Sequence, residues 1–151
     1  MTPTLSGRIQ TRIFLMGTIG FVLTIFYTLL YNAFAPTPPA VSEVAFWELF
    51  LILIYVTLIG ILLDFVYIYI QSFHWDRDWP LGYQFLTGFF EGMLVFWLFF
   101  FGLLPATTYD DGDWWRFWLA YGTIWFTTWW WVFGPMRVFF LRWRFRGGQF
   151  F

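Results

Sequence analysis

Residues 45–70 read AFWELFLILIYVTLIGILLDFVYIYI and contain only two charged side chains, Glu48 and Asp64. A hydrocarbon core about 30 Å thick needs roughly 20 consecutive apolar residues in a helix, so this stretch predicts a helix that crosses a bilayer. Three further stretches of similar length and apolar character lie at about 13–34, 85–104 and 114–141. We therefore expect an all-α membrane protein with about four transmembrane helices, forming a single polytopic domain over residues 1–151.

The composition supports a membrane protein and excludes several other classes. Hydrophobic residues make up 60% of the chain and charged residues only 11%, whereas an average soluble domain is about 25% charged. The net charge of −1 leaves no broad basic surface for nucleic acid. The chain has no cysteine, which excludes disulfides, thiolate metal sites and a cysteine nucleophile.

The distribution of arginine predicts the orientation of the helices. Short cytoplasmic loops and ends are enriched in basic residues. Seven of the eight basic residues lie on one predicted side of the membrane: Arg8, Arg12, Arg77, Arg137, Arg142, Arg144 and Arg146. The other side carries Arg116 and the acidic loop 110–113. Both termini are therefore predicted to face the cytoplasm.

Two carboxylates are predicted to lie deeper in the membrane than the other charged groups. Asp64 is six residues before the end of the second predicted helix, and Glu91 is six residues after the start of the third. Both would be roughly 9 Å inside the boundary at the helical rise per residue. Arg137 enters from the same side. An intramembrane polar cluster of Asp64, Glu91 and Arg137 is predicted, either to hold helices together, to contact a partner subunit, or to relay protons or ions.

Other residue pairs predict contacts at the helix ends and faces. Glu48 and Arg116 lie near the outer ends of their helices, so they are expected to form an ion pair or to reach lipid headgroups separately. Gly88 and Gly92 are four residues apart, a spacing that lets two helices approach closely. The basic, aromatic tail is expected to contact anionic headgroups or a partner subunit through Arg142, Arg144 and Arg146.

Aromatic residues are unusually abundant, with 12 Trp and 23 Phe. Such rings are suited to pack against lipid, quinone or pigment, although the chain shows no cofactor motif of its own. His74 is the only histidine, so paired histidine ligation of haem within the chain is excluded. His74 beside Asp76 and Asp78 could in principle bind a metal, although an interfacial loop with locally paired charges is the favoured interpretation. No catalytic motif or phosphate-binding loop is present, and no enzymatic activity is expected.

These features favour a small accessory, structural or assembly subunit of a larger membrane complex, with membrane lipids and other subunits as its partners. The alternative is a small transporter of protons, ions or solutes that uses the cluster of Asp64, Glu91 and Arg137. A bacterial inner membrane or an internal energy-transducing membrane is the expected location.

Overall fold

The computed structural model describes residues 4–34, 42–73, 81–107 and 113–150. This part of the chain is helical and contains no strand. The helices in chain order are α1 (Leu5–Leu15), a π-helical turn (Met16–Gly20), α2 (Phe21–Phe34), α3 (Ser42–Gln71), α4 (Leu81–Phe100), α5 (Asp113–Phe133), α6 (Pro135–Phe139) and α7 (Leu141–Phe145).

The first helix begins eight residues earlier than the apolar stretch predicted. α1, the π turn and α2 run on without an intervening loop, and Thr4 caps the start by accepting a hydrogen bond from the Gly7 N–H at 3.1 Å. A side-chain oxygen at this position satisfies a donor that the first helical turn leaves unpaired. Arg8 and Arg12, predicted to precede the helix, are consequently inside it.

Glycine and proline decide where the later helices end. Gly102 has a φ of +64°, and the N–H of Leu103 donates to the carbonyl of Leu98 at 2.9 Å. A glycine in the left-handed region after the last turn is a common helix terminator, so α4 stops at Phe100 rather than at residue 104. Pro135 lacks a backbone N–H and follows the end of α5, so the predicted fourth helix is divided into α5, α6 and α7.

Three helices in the described residues are long and apolar enough to cross a membrane, which supports an integral membrane protein. They cover Leu5–Tyr31, Trp47–Gln71 and Gly82–Phe100. α5 has 21 residues, but Asp113, Arg116 and three threonines make it less apolar than α3 and α4.

Two hydrophobic clusters hold the helices together. The larger one joins α3, α4 and α5 and has at its centre Val56, Val95, Phe99, Phe117 and Tyr121. The smaller one packs the end of the chain against α1 through Leu15, Met136 and Trp143. The outer surfaces of the helices remain rich in exposed apolar side chains.

Candidate functional site

Asp64 on α3 is the centre of a buried ion-pair cluster. The residue is 2% exposed, and its two carboxylate oxygens accept hydrogen bonds from two arginines of α1. Arg8 Nε donates to Oδ1 at 3.1 Å, and Arg12 Nε donates to Oδ2 at 2.9 Å. Arg8 and Arg12 are four residues apart and therefore lie on one face of the helix, which is the face that packs against α3.

Glu91 on α4 completes the cluster. It is 4% exposed, and its Oε1 accepts a hydrogen bond from Arg12 Nη1 at 2.7 Å. One guanidinium thus binds carboxylates on two different helices, an arrangement suited to its fixed fork of donors. Two arginines and two carboxylates balance in charge, which meets the requirement that buried charges be paired.

Gly60 provides the space that this arrangement needs. It lies one turn before Asp64 on α3, and a Cβ atom at this position would overlap the guanidinium of Arg12. The same atom would come within 2.7 Å of Glu91 Oε1. The absence of a side chain at Gly60 therefore lets Arg12 reach both carboxylates.

The cation that joins the two carboxylates is Arg12, whereas the sequence predicted Arg137 as the basic member of this cluster. Arg137 lies on α6 with its guanidinium 4.7 Å from the centroid of the Phe133 ring. The described part of the chain offers it no carboxylate within ion-pair distance. Arg137 nevertheless lines the same cavity as Asp64 and Glu91.

This cavity has a volume of about 400 Å³. One part of its wall is the ion-pair cluster of α1, α3 and α4. Another part is aromatic and comes from α5 and the chain end, with Tyr121, Trp125, Trp129, Phe133 and Trp143. The cavity therefore combines a wall of charged side chains with an aromatic, apolar wall.

The two glycines of α4 pack against α5. A Cβ atom on Gly88 would overlap the indole of Trp125, and one on Gly92 would overlap the ring of Tyr121. The Tyr121 hydroxyl also donates a hydrogen bond to the carbonyl of Gly88. The close helix contact predicted at Gly88 and Gly92 is therefore formed between α4 and α5 of the same chain.

At the other end of the bundle, Arg116 lies beside aromatic rings. Its guanidinium is 5.8 Å from the ring centroid of Tyr31 and 5.6 Å from that of Trp115. The Tyr31 hydroxyl donates to the Arg116 carbonyl at 2.9 Å. Glu48 is half-buried on α3, and its ion pair with Arg116 stays a prediction.

The C-terminal tail docks on the chain's own first helix. Trp143 Nε1 donates to Thr11 Oγ1 at 2.7 Å, and this hydroxyl donates to the carbonyl of Gly148 at 3.1 Å. The Thr4 N–H donates to the carbonyl of Gly147 at 3.1 Å. Gly147 and Gly148 have φ values of +62° and +91°, a conformation that glycine adopts without steric cost.

The docked tail also carries three arginines. Arg142 and Arg146 are exposed, and the side chain of Arg144 is outside the described residues. Their contact with headgroups or a partner stays a prediction. His74, Arg77, Asp110 and Asp111 also lie outside the described ranges.

Sequence reasoning missed Gly60, Arg8 and Arg12 as parts of the site. The spacing of Arg8 and Arg12 was a usable signal, because two arginines one turn apart form a stripe if the helix extends through them. Gly60 and Asp64 have the same spacing. Comparison of the chain with known protein families, with curated proteins and with solved structures finds no match.

Proposed function

We propose that this chain is a small accessory or assembly subunit of a larger membrane complex, in contact with lipid and partner subunits through its aromatic helix faces. The outward surfaces of α4 and α5 carry this proposal. Large rings are exposed along both helices: Phe90, Trp97, Trp114, Phe126 and Trp130. Contiguous apolar surfaces mark membrane or protein interaction sites, and tryptophan is enriched among residues that dominate binding energy at interfaces.

The ion-pair cluster supports a structural role for the polar residues. Asp64 and Glu91 are buried, and each accepts at least one hydrogen bond from a guanidinium. Removing one partner from a buried pair is strongly destabilising, because a buried charge is left uncompensated. The cluster is therefore well suited to fix α1 against α3 and α4.

We further propose that α5 is a fourth span and that both termini face the cytoplasm. Support comes from the hydrogen bonds between Thr4 and Gly147, which bring the two chain ends to the same end of the bundle. A chain whose ends share one side crosses the membrane an even number of times. A helix of 21 residues is about as long as a hydrocarbon core is thick, and the arginine distribution favours the cytoplasm for this side.

Transport of protons, ions or small solutes is the second candidate. The observation that favours it is the position of Asp64, Glu91 and Arg137 around one cavity. The observation that opposes it is the pairing of both carboxylates with arginine, because proton uptake would remove the negative charge that each ion pair needs. Flux that is unchanged by Asp64→Asn would eliminate this candidate.

The accessory function is tested by affinity purification from the native host in a mild detergent, with mass spectrometry and an absorption spectrum on the same sample. We expect larger membrane subunits to co-purify in stoichiometric amounts. The spectrum tests whether a pigment, quinone or haem accompanies the complex. A bacterial inner membrane or an energy-transducing internal membrane is the proposed source of the complex.

Matched variants test the surface that carries the proposal. Trp130→Ala removes an exposed ring of α5, whereas Leu58→Ala removes an exposed aliphatic side chain of α3. We expect the first to lower the yield of co-purified subunits more than the second, at equal amounts of folded chain. Recovery of a lone, colourless protein from the wild-type preparation would overturn the accessory function.

A further inference from the structure

The positive and negative side chains that line the cavity do not cancel. On the side of α1, α3 and α4, the positive charges of Arg8 and Arg12 match the negative charges of Asp64 and Glu91. Arg137 is a further guanidinium on the wall, contributed by α6. The described lining of the cavity therefore has a net positive charge.

Arg137 is the side chain responsible for the excess positive charge of the cavity lining. Its guanidinium lies over the face of Phe133, a contact that orients the charge but does not neutralise it. None of the carboxylates among the described residues is within ion-pair distance of it. A half-buried arginine with planar, forked donors is suited to bind a phosphate or a carboxylate from outside the chain.

The aromatic wall indicates that the part of the ligand next to its anionic group is apolar. Trp125, Trp129 and Phe133 lie along the same cavity as Arg137, so an anion bound there would have apolar surface beside it. The volume of about 400 Å³ falls within the range of small-molecule sites, which are mostly apolar with a few placed polar groups. An inorganic ion alone would leave most of this wall without a partner.

We propose that the cavity is a binding site for an anionic amphiphile, whose phosphate or carboxylate head pairs with Arg137 and whose apolar part packs against Trp125, Trp129 and Phe133. Two sources have this chemistry, an anionic phospholipid of the bilayer and a single-chain amphipathic acid. The site does not depend on the accessory function, because it is formed within one chain.

The test uses the full chain, purified and delipidated in a neutral detergent, with bound ligand measured by native mass spectrometry. The probes are phosphatidylglycerol, phosphatidylcholine and decyl phosphate. We expect saturable binding of one phosphatidylglycerol or one decyl phosphate, and no comparable binding of phosphatidylcholine. Binding of phosphatidylglycerol alone would assign the site to a bilayer lipid, and binding of decyl phosphate alone to a single-chain acid.

Arg137→Gln and Arg142→Gln form a matched pair of variants. Both remove one positive charge near the same chain end, but Arg142 is exposed and does not line the cavity. We expect Arg137→Gln to weaken binding of the anionic probe by roughly tenfold or more, the effect of losing one charge-assisted hydrogen bond. Arg142→Gln is expected to bind like the wild type.

Arg137→Lys keeps the charge but loses the forked geometry, so its affinity should lie between those of the wild type and Arg137→Gln. An intermediate affinity of this variant would indicate an effect on binding rather than on folding. Thermal unfolding of each variant checks directly that it is folded. Equal weakening by Arg137→Gln and Arg142→Gln, or equal binding of phosphatidylcholine and phosphatidylglycerol, would overturn the proposal.

Discussion

Arg12 Nη1 lies 2.7 Å from Glu91 Oε1, and the same guanidinium binds Asp64 through Nε at 2.9 Å. A single side chain of α1 thus connects α3 and α4. The bond to Asp64 spans 52 residues of sequence and the bond to Glu91 spans 79. Because these are long-range contacts between buried charges, they define how three helices are arranged around the cavity.

Replacing Arg12 by methionine should strongly destabilise the bundle. The substitution removes the donor of both bonds and leaves Glu91 as a buried, uncompensated carboxylate. We expect the free energy of unfolding to fall by about 3–5 kcal/mol, the usual cost of breaking a buried pair. The measurement is reversible unfolding in mixed detergent micelles.

A second substitution provides the control for this effect. Glu91→Gln in the Arg12→Met chain removes the unpaired charge, so the double variant should recover part of the lost stability. If the double variant is no more stable than Arg12→Met alone, the ion pair is not the cause of the loss.

Gly60→Ala should destabilise the chain through the same site. The added methyl group would overlap the Arg12 guanidinium, and overpacking of this kind typically costs about 1–3 kcal/mol. Gly122→Ala on α5 is the matched control, since a Cβ atom there meets nothing within 4 Å. Alanine replaces glycine in a helix with a gain of roughly 0.5–1 kcal/mol, so the two variants should shift the unfolding midpoint in opposite directions. Equal shifts would contradict the close approach at Gly60.

Thr11→Val should release the C-terminal tail from α1. The hydroxyl of Thr11 accepts a hydrogen bond from Trp143 Nε1 and donates one to the Gly148 carbonyl. Its loss leaves buried polar groups unpaired, at a cost of about 1–3 kcal/mol. Hydrogen exchange of the backbone amides in residues 143–150 should therefore become faster.

Thr123→Val tests whether any loss of a threonine hydroxyl has this effect. The Thr123 hydroxyl bonds only to carbonyls of its own helix, at Leu119 and Ala120. Exchange in residues 143–150 should remain at the wild-type rate. Faster exchange in both variants would show that the tail does not depend on the Thr11 contacts in particular.

Labelling of single cysteines should determine the number of membrane crossings. The chain has no cysteine, so each variant reports one site without background. Ser6→Cys and Arg146→Cys, at exposed positions near the two chain ends, should react with an impermeant maleimide from the same side. Leu103→Cys, exposed after α4, should react from the opposite side. Labelling of Arg146→Cys together with Leu103→Cys would show that α5 does not cross.

The sequence by itself determined the helical class and the approximate extent of α3, because long apolar stretches need a helix to satisfy their backbone groups in lipid. It also identified Asp64 and Glu91, because carboxylates are rare within apolar stretches. It did not identify their partner. Arg8 and Arg12 lower the local hydropathy, so the apolar pattern placed the start of the first helix after them. In the structure the helix begins at Leu5, after the Thr4 cap, and includes both arginines.

Only the tertiary structure decided which cation meets the carboxylates. Arg12 lies far along the chain from both, and nothing in local hydropathy distinguishes it from Arg137. The distinction depends on the face that α1 presents to α3 and on the space left by Gly60. The docking of the tail on α1 has the same origin, because hydrogen bonds between residues more than 130 positions apart form only after the helices have packed.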